Sequence, residues 1–170
     1  IGILDGEGKD MSGKIIIPGF IDVHIHGCAG GDASDADKSG LEKMAKELAK
    51  HGVTSFCPTS MTLPKEKLEN IVETVKEFKS ESHEGSKVIG INLEGPFIAM
   101  SKKGAQNAEY VRGGTIEEFD DLYKKSGELV KLITIAPEAF DSEKFINHAK
   151  DYTNVSIGHS AANANECKKA

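Results

Sequence analysis

Cysteine, long apolar runs and clustered positive charge are all scarce in this sequence, and each scarcity excludes a class of protein. The three cysteines among 170 residues are Cys28, Cys57 and Cys167, and no two of them have the Cys-x-x-Cys spacing. Such an odd set argues against a disulfide framework, so we expect reduced thiols and a cytoplasmic location. Apolar runs of a few residues are far shorter than the roughly 20 residues of a membrane helix, which excludes a membrane span.

The charge of the chain argues against nucleic acid as a partner. There are 27 acidic and 21 basic residues, for a formal net charge of -6, and the lysines are scattered among glutamates. No basic stripe is present that could follow a phosphate backbone or an anionic lipid surface. We therefore expect neither nucleic acid nor a membrane among the partners.

The sequence does contain a regular alternation of β-rich runs and amphipathic stretches. The five β-rich runs cover residues 20–26, 53–57, 88–93, 129–136 and 154–158. Helical patterns follow them at residues 37–50, after Pro64, at 115–126, at 142–150 and from near residue 161. The second helical pattern has one apolar stripe, formed by Leu68, Ile71, Val72, Val75 and Phe78. Strands that alternate with helices predict a parallel sheet covered by helices.

Two architectures fit this α/β pattern, a doubly wound sheet and a (β/α)8 barrel of the TIM type. Neither a Gly-x-Gly-x-x-Gly sequence nor a P-loop follows the first β-rich run, which counts against a nucleotide-binding sheet. A complete barrel has eight strands and usually about 250 residues. About five βα units therefore predict a partial (β/α)8 barrel.

Both ends of the chain predict a piece of a longer protein. The chain begins at Ile1 rather than at a methionine, and Ala170 falls within the first turns of the last helical pattern. Residues 1–17 have glycines between short apolar runs, and we interpret them as the end of a separate β domain, with residues 18–170 as the first part of the barrel. An open sheet would expose an edge and an apolar inner wall, so we expect a homo-oligomer and no activity from this piece alone.

Histidine and glutamate stand where three of the predicted strands end. His24 and His26 are two residues apart on the first strand, so both imidazoles leave the same face. Glu94 follows the third strand, and His159 follows the fifth. The carboxyl ends of parallel strands meet at one rim, which is where barrel enzymes have their active sites. Because imidazole and carboxylate are ligands of divalent metals, these four residues predict a metal site.

Several segments resemble the amidohydrolase superfamily. Residues 18–27, Pro-Gly-Phe-Ile-Asp-Val-His-Ile-His-Gly, are similar to its first barrel strand. Four later segments are similar, in the same order, to motifs of the N-acetylglucosamine-6-phosphate deacetylase family: Leu-Glu-Gly-Pro-Phe at 93–97, Lys-Gly-Ala-Gln-Asn at 103–107, Ala-Pro-Glu at 136–138 and Gly-His-Ser at 158–160. The match runs over nearly the whole chain.

The resemblance implies the metal chemistry of the site. Glu94 and His159 match metal ligands of the family, while His24 and His26 match a pair that some members replace by amides. One or two divalent ions are implied, and zinc is the expected metal, with iron, manganese or cobalt as alternatives.

The resemblance also implies a substrate loop and residues that this chain does not contain. Ala105 and Gln106 match the loop that contacts the sugar. A further metal histidine, the phosphate-binding residues and an aspartate that serves as general acid and base would lie beyond residue 170, so the catalytic residue stays unassigned. Residues 1–17 would be the remnant of an N-terminal β-sandwich, and the full-length enzyme would be a dimer.

The implied reaction is hydrolysis of the N-acetyl amide of N-acetylglucosamine 6-phosphate, an amino-sugar phosphate, to glucosamine 6-phosphate and acetate. Two other interpretations stay open. A cyclic amidohydrolase of the dihydroorotase type typically has a carboxylated lysine on its fourth strand, whereas Lys131 stands at the start of the fourth β-rich run. The other interpretation is a noncatalytic half-barrel that only binds metal.

Overall fold

The computed structural model describes residues 11–170, in which short strands alternate with helices. The strands are β1 (Phe20–Ile25), β2 (Gly27–Cys28), β3 (Gly31–Asp32), β4 (Val53–Pro58), β5 (Lys87–Val88), β6 (Ile91–Glu94), β7 (Val130–Ile135) and β8 (Asn154–Ile157). The helices are α1 (Lys38–Lys50), α2 (Lys65–Ser80), α3 (Ile116–Lys125), α4 (Ser142–Ala149) and α5 (Ala164–Lys169). Short 3-10 turns lie at Ala33–Asp35, Met100–Lys102 and Ala108–Tyr110.

Six of the described strands pair with one another in parallel. β1 pairs with β4, β4 with β5, β6 with β7 and β7 with β8, all in parallel. A parallel bridge between Thr59 and Asn92 joins the two sets, and β2 and β3 form a small antiparallel hairpin before α1. The alternation of parallel strands with helices confirms the prediction of a partial (β/α)8 barrel.

One predicted strand is divided in the structure. The sequence predicts a single strand over residues 88–93, but β5 pairs with β4 whereas β6 pairs with β7, and the break falls at Gly90. A Cβ added at Gly90 would lie 2.3 Å from Cγ of Lys131 and 3.1 Å from the carbonyl oxygen of Leu129. The absence of a side chain therefore allows β7 to approach at the point where the chain changes its partner.

The hydrophobic core lies between the parallel strands and the helices. Every member of the apolar stripe predicted for α2 is buried, and α1 adds Leu41, Met44, Ala45 and Leu48. Asp37 begins α1, because its carboxylate accepts hydrogen bonds from the backbone N–H groups of Ser39 and Gly40 at 3.0 and 3.1 Å. α1 and α2 thus pack as their sequence pattern predicts, whereas α5 begins at Ala164, three residues after the predicted start.

Apolar side chains are exposed on the two outermost parallel strands. On β1, Phe20 and Ile21 are 61% and 62% exposed, and on β8 Ile157 is 45% exposed. Exposed apolar strands at the edges of a sheet are what an open barrel predicts.

The predicted N-terminal domain lies largely outside the described residues. Residues 11–17 contain a turn, in which the N–H of Lys14 donates to the carbonyl oxygen of Met11 at 2.9 Å, and no strand. The assignment of residues 1–17 to a separate β domain stays a prediction. Across residues 11–170, the helices are too short or too polar to cross a bilayer.

Candidate metal centre

The two strand histidines lie at the carboxyl end of β1 and face one carboxylate. The Nε2 atoms of His24 and His26 are 2.6 Å and 3.1 Å from Oε2 of Glu94. Both rings therefore lie on one side of the strand, as their spacing predicts. Nδ1 of His26 is 3.1 Å from the carbonyl oxygen of Thr59. Because a carbonyl oxygen can only accept, Nδ1 is the donor in this contact, and Nε2 is left facing Glu94.

Glu94, the last residue of β6, is the centre of this cluster. Its side chain is buried, and His159 and Gln106 contact its second oxygen, Oε1, at 2.5 Å and 2.9 Å. Burial is the largest single influence on the pKa of Glu94 and raises it, but the hydrogen bonds from His26, His159 and Gln106 outweigh burial and lower the pKa to about 2. The hydrogen bond to Glu94 also raises the pKa of His26. The buried carboxylate is therefore ionised and held from four directions.

His159 reaches Glu94 from the loop that follows β8. Its backbone is left-handed, with a φ of 49°, which is uncommon for a residue other than glycine. Nδ1 of His159 donates to the carbonyl oxygen of Lys102 at 2.8 Å, and the N–H of Ala99 donates to the carbonyl oxygen of His159 at 3.0 Å. The segment around residues 99–102 therefore holds both the backbone and the ring, and it directs Nε2 towards Glu94.

The donor atoms of this cluster fit a divalent metal ion. One ligand atom from each of His24, His26 and Glu94 lies within 4.8 Å of the others, and Nε2 of His159 lies against the other carboxylate oxygen. Three imidazole nitrogens and a carboxylate oxygen are a donor set typical of zinc and related divalent metals. The structure brings the four predicted residues together, and their role as metal ligands stays a prediction.

The two residues predicted to contact substrate have different surroundings. Ala105 is exposed and follows Gly104, where an added Cβ would be 3.7 Å from Cε1 of His159. Gln106 is buried, and both ends of its amide are engaged: Nε2 donates to Glu94, and Oε1 accepts from the N–H of Thr62 at 2.7 Å. The side chain of Gln106 therefore holds Glu94, while its contact with a sugar stays a prediction.

Two residues that support the site received no role from the sequence, although Glu138 belongs to the Ala-Pro-Glu segment at 136–138. Oγ1 of Thr59 accepts from the N–H of Ile25 at 3.0 Å, which attaches the end of β1 to the residue after β4. The carboxylate of Glu138, in the loop after β7, accepts from Oγ of Ser160 at 2.7 Å. Both residues follow strands at the same rim as the predicted ligands, and this position was the signal that could have identified them.

Known proteins resemble the chain in sequence and in fold. Residues 15–169 match the model of the Amidohydrolase family. The chain is 39% identical to the N-acetylglucosamine-6-phosphate deacetylase of Homo sapiens, over 96% of this chain and 41% of that protein.

Solved structures of deacetylases also resemble the chain in fold. The N-acetylglucosamine-6-phosphate deacetylase of Thermotoga maritima superimposes with a TM-score of 0.78 and 32% identity, over 89% of this chain and 40% of that one. A mutant of the N-acetylglucosamine-6-phosphate deacetylase from Mycobacterium smegmatis, in complex with N-acetyl-D-glucosamine-6-phosphate, superimposes with a TM-score of 0.83 and 25% identity. This match covers 90% of this chain and 39% of that one. The chain thus spans about 40% of the length of the proteins that it matches.

Proposed function

Because the chain belongs to the amidohydrolase family, we propose that it supplies the metal centre of an N-acetylglucosamine-6-phosphate deacetylase. The enzyme would hydrolyse the acetamide of this amino-sugar phosphate to acetate and an amine. The names of the human, Thermotoga maritima and Mycobacterium smegmatis proteins support the choice of substrate. Zinc as the metal, a cytoplasmic location and a dimeric whole enzyme are further parts of the proposal.

The convergence of three imidazoles on one buried carboxylate is the observation that carries the proposal. His24 and His26 come from the end of β1, Glu94 from the end of β6, and His159 from the loop after β8. A buried carboxylate needs compensation, but a single cation would suffice to balance its charge. Three imidazoles from two separate parts of the chain exceed that need, and they provide the nitrogen donors that a divalent metal requires.

The side chains of this centre have separate tasks in the proposed reaction. A divalent cation held here supplies Lewis-acid chemistry, because it makes water more acidic and polarises an amide carbonyl. Glu94 contributes the negative charge that retains the cation, and the carbonyl oxygens of Thr59 and Lys102 keep two imidazoles in the tautomer that presents Nε2. The departing amine also needs a proton from a general acid, and we propose an aspartate outside this chain for that role.

The position of Lys131 disfavours the cyclic amidohydrolase alternative. Lys131 is the second residue of β7, its side chain is exposed, and Nζ donates to the carbonyl oxygen of Glu128 at 3.0 Å, before the strand begins. Such enzymes need a lysine near the metal rim, and at that end β7 has Ile135.

A substrate panel with a ligand variant tests the proposal. With zinc supplied, we expect the full-length protein to release acetate from N-acetylglucosamine 6-phosphate and to leave dihydroorotate unchanged. We expect Glu94→Gln to lose this turnover, because an amide keeps the shape of the side chain without its charge. Glu109→Gln, which changes an exposed glutamate, is the matched control and should keep it.

Two results would contradict the proposal. Turnover of dihydroorotate without acetate release would favour the cyclic amidohydrolase. Zinc binding without turnover of either substrate would favour a noncatalytic metal-binding protein.

A further inference from the structure

Glu138 lies outside the ligand cluster but is bound to the loop that carries His159. One oxygen of its carboxylate accepts from Oγ of Ser160 at 2.7 Å, and the other accepts from the backbone N–H of Ala161 at 2.5 Å. Oγ of Ser160 in turn accepts from the N–H of Ala162 at 2.9 Å. One carboxylate therefore binds the two residues that directly follow His159.

The backbone at His159 needs such support. A left-handed backbone costs a residue with a Cβ about 1–2 kcal/mol relative to the usual helical conformation. The loop after β8 must therefore be held by its surroundings if the imidazole is to stay directed towards Glu94. Ala99 and Lys102 hold His159 itself, whereas Glu138 holds the chain on its carboxyl side.

The segment that carries Glu138 is itself fixed. The N–H of Ala136 donates to the carbonyl oxygen of Phe97 at 2.8 Å, and Oγ of Ser142 at the start of α4 donates to the carbonyl oxygen of Pro137 at 2.7 Å. Hydrogen bonds thus attach the residues before Glu138 both to the loop after β6 and to α4. A carboxylate on such a segment can act as a fixed point for a neighbouring loop.

We propose that Glu138 is a positioning residue, which sets the conformation of residues 159–161 and so keeps Nε2 of His159 where a metal ion would be bound. The inference rests on the proposed function only in that it assigns His159 to the metal. The hydrogen bonds also support this role through the charge of Glu138. Burial raises the pKa of Glu138, but the bonds from Ser160 and Ala161 outweigh burial and lower the pKa, which keeps the carboxylate ionised.

Three variants separate positioning from general stability. Glu138→Ala removes both hydrogen bonds. Glu138→Gln should rescue the protein, because its carbonyl oxygen still accepts from Ala161 and its amide can donate to Oγ of Ser160. Glu143→Gln, five residues further along at an exposed position in the first turn of α4, makes the same charge change without these bonds.

The first measurement is amide hydrogen exchange over residues 159–163 in the metal-free full-length protein. We expect exchange at Ala161 to become at least about tenfold faster in Glu138→Ala, since a hydrogen bond to a charged group is lost. The second measurement is zinc affinity by competition with a chromogenic chelator. We expect affinity about 10- to 100-fold weaker in Glu138→Ala, as is common when a group that orients a ligand is removed. Glu138→Gln should stay close to the parent protein in both.

Several results would overturn the proposal. Unchanged exchange in Glu138→Ala would remove the anchoring role, and faster exchange with unchanged zinc affinity would reduce Glu138 to a structural residue. If Glu138→Ala does not fold, Ser160→Ala replaces it, and unchanged zinc affinity in that variant would count against the inference. A parent protein that binds zinc but lacks deacetylase activity would refute the proposed function alone, because exchange and affinity are measured without substrate.

Discussion

Replacing Gln106 by alanine tests whether this side chain holds the carboxylate of the site or only contacts a sugar. Its amide spans 2.9 Å to Oε1 of Glu94 and 2.7 Å to the N–H of Thr62, and both partners are buried. Gln106→Ala leaves the N–H of Thr62 without a protein partner and removes one donor from an ionised group. The variant therefore disturbs two buried groups at once.

The expected loss of stability follows from these two contacts. An unpaired buried N–H costs about 1–3 kcal/mol, and a hydrogen bond to a charged group contributes about 1.5–3 kcal/mol. Water that enters the space left by the side chain recovers part of this loss, so we expect the free energy of unfolding to fall by about 2–4 kcal/mol. Because Glu94 is less firmly held, zinc affinity should fall as well.

Urea unfolding and zinc competition measure the two effects. Asn107→Ala is the matched control, because it removes a neighbouring but exposed amide that accepts from the N–H of Glu109 at 3.0 Å. We expect the free energy of unfolding of the control to fall by about 1 kcal/mol or less, as it does when a helix cap is removed. If Gln106→Ala matches Asn107→Ala in stability and in zinc affinity, and only the KM for substrate rises, the argument from the two buried contacts is refuted.

Two further predictions concern the framework around the site. In Gly31→Ala the new Cβ would lie 2.2 Å from the carbonyl oxygen of Gly40 in α1, so we expect a loss of about 1–3 kcal/mol in urea unfolding. In Gly40→Ala the new Cβ would lie 3.4 Å from the Cα of Gly31, so we expect this variant to be as stable as the parent or more stable by up to about 1 kcal/mol. Equal losses of stability in both variants would contradict the steric argument. The hydrogen bonds from Ser39 lower the pKa of Asp37 below its ordinary value of 3.8. The charged carboxylate therefore adds stability above pH 3.8, and this stability is lost as the pH falls through the lowered pKa. Because asparagine also caps helices, Asp37→Asn should be less stable than the parent at pH 7 and equal to it in acid, and a pH-independent difference in thermal unfolding would contradict the assignment.

The sequence is sufficient to predict that four residues come together at the candidate site, but not the contacts that hold them. His24 and His26 share a face because strands alternate, and Glu94 and His159 join them because parallel strands end at one rim. The support from Thr59 depends on how β1 and β4 lie against each other, which no local pattern encodes. The buried position of Gln106 likewise follows from tertiary packing, since its neighbours in sequence are exposed.

The same limit applies to the strand that is divided at Gly90. The run Val-Ile-Gly-Ile-Asn-Leu at 88–93 predicts one strand, because β propensity describes a single segment and not its choice of neighbouring strand. The change of partner from β4 to β7 depends on the space that Lys131 and Leu129 leave, and these residues lie one helix further along the chain.

The wide sequence separation of the four candidate ligands determines when the centre can form during synthesis. Glu94 and His159 are 65 residues apart, and the strand histidines lie about as far before Glu94. A nascent chain that has released β1 to β7 from the ribosome therefore still lacks His159. Contacts between residues so far apart in the sequence form slowly, so we expect the four-residue centre to be complete only after most of the half-barrel has folded. We expect all four residues to hold an ion together only when β8 has joined the sheet, on a framework that hydrophobic packing has already assembled.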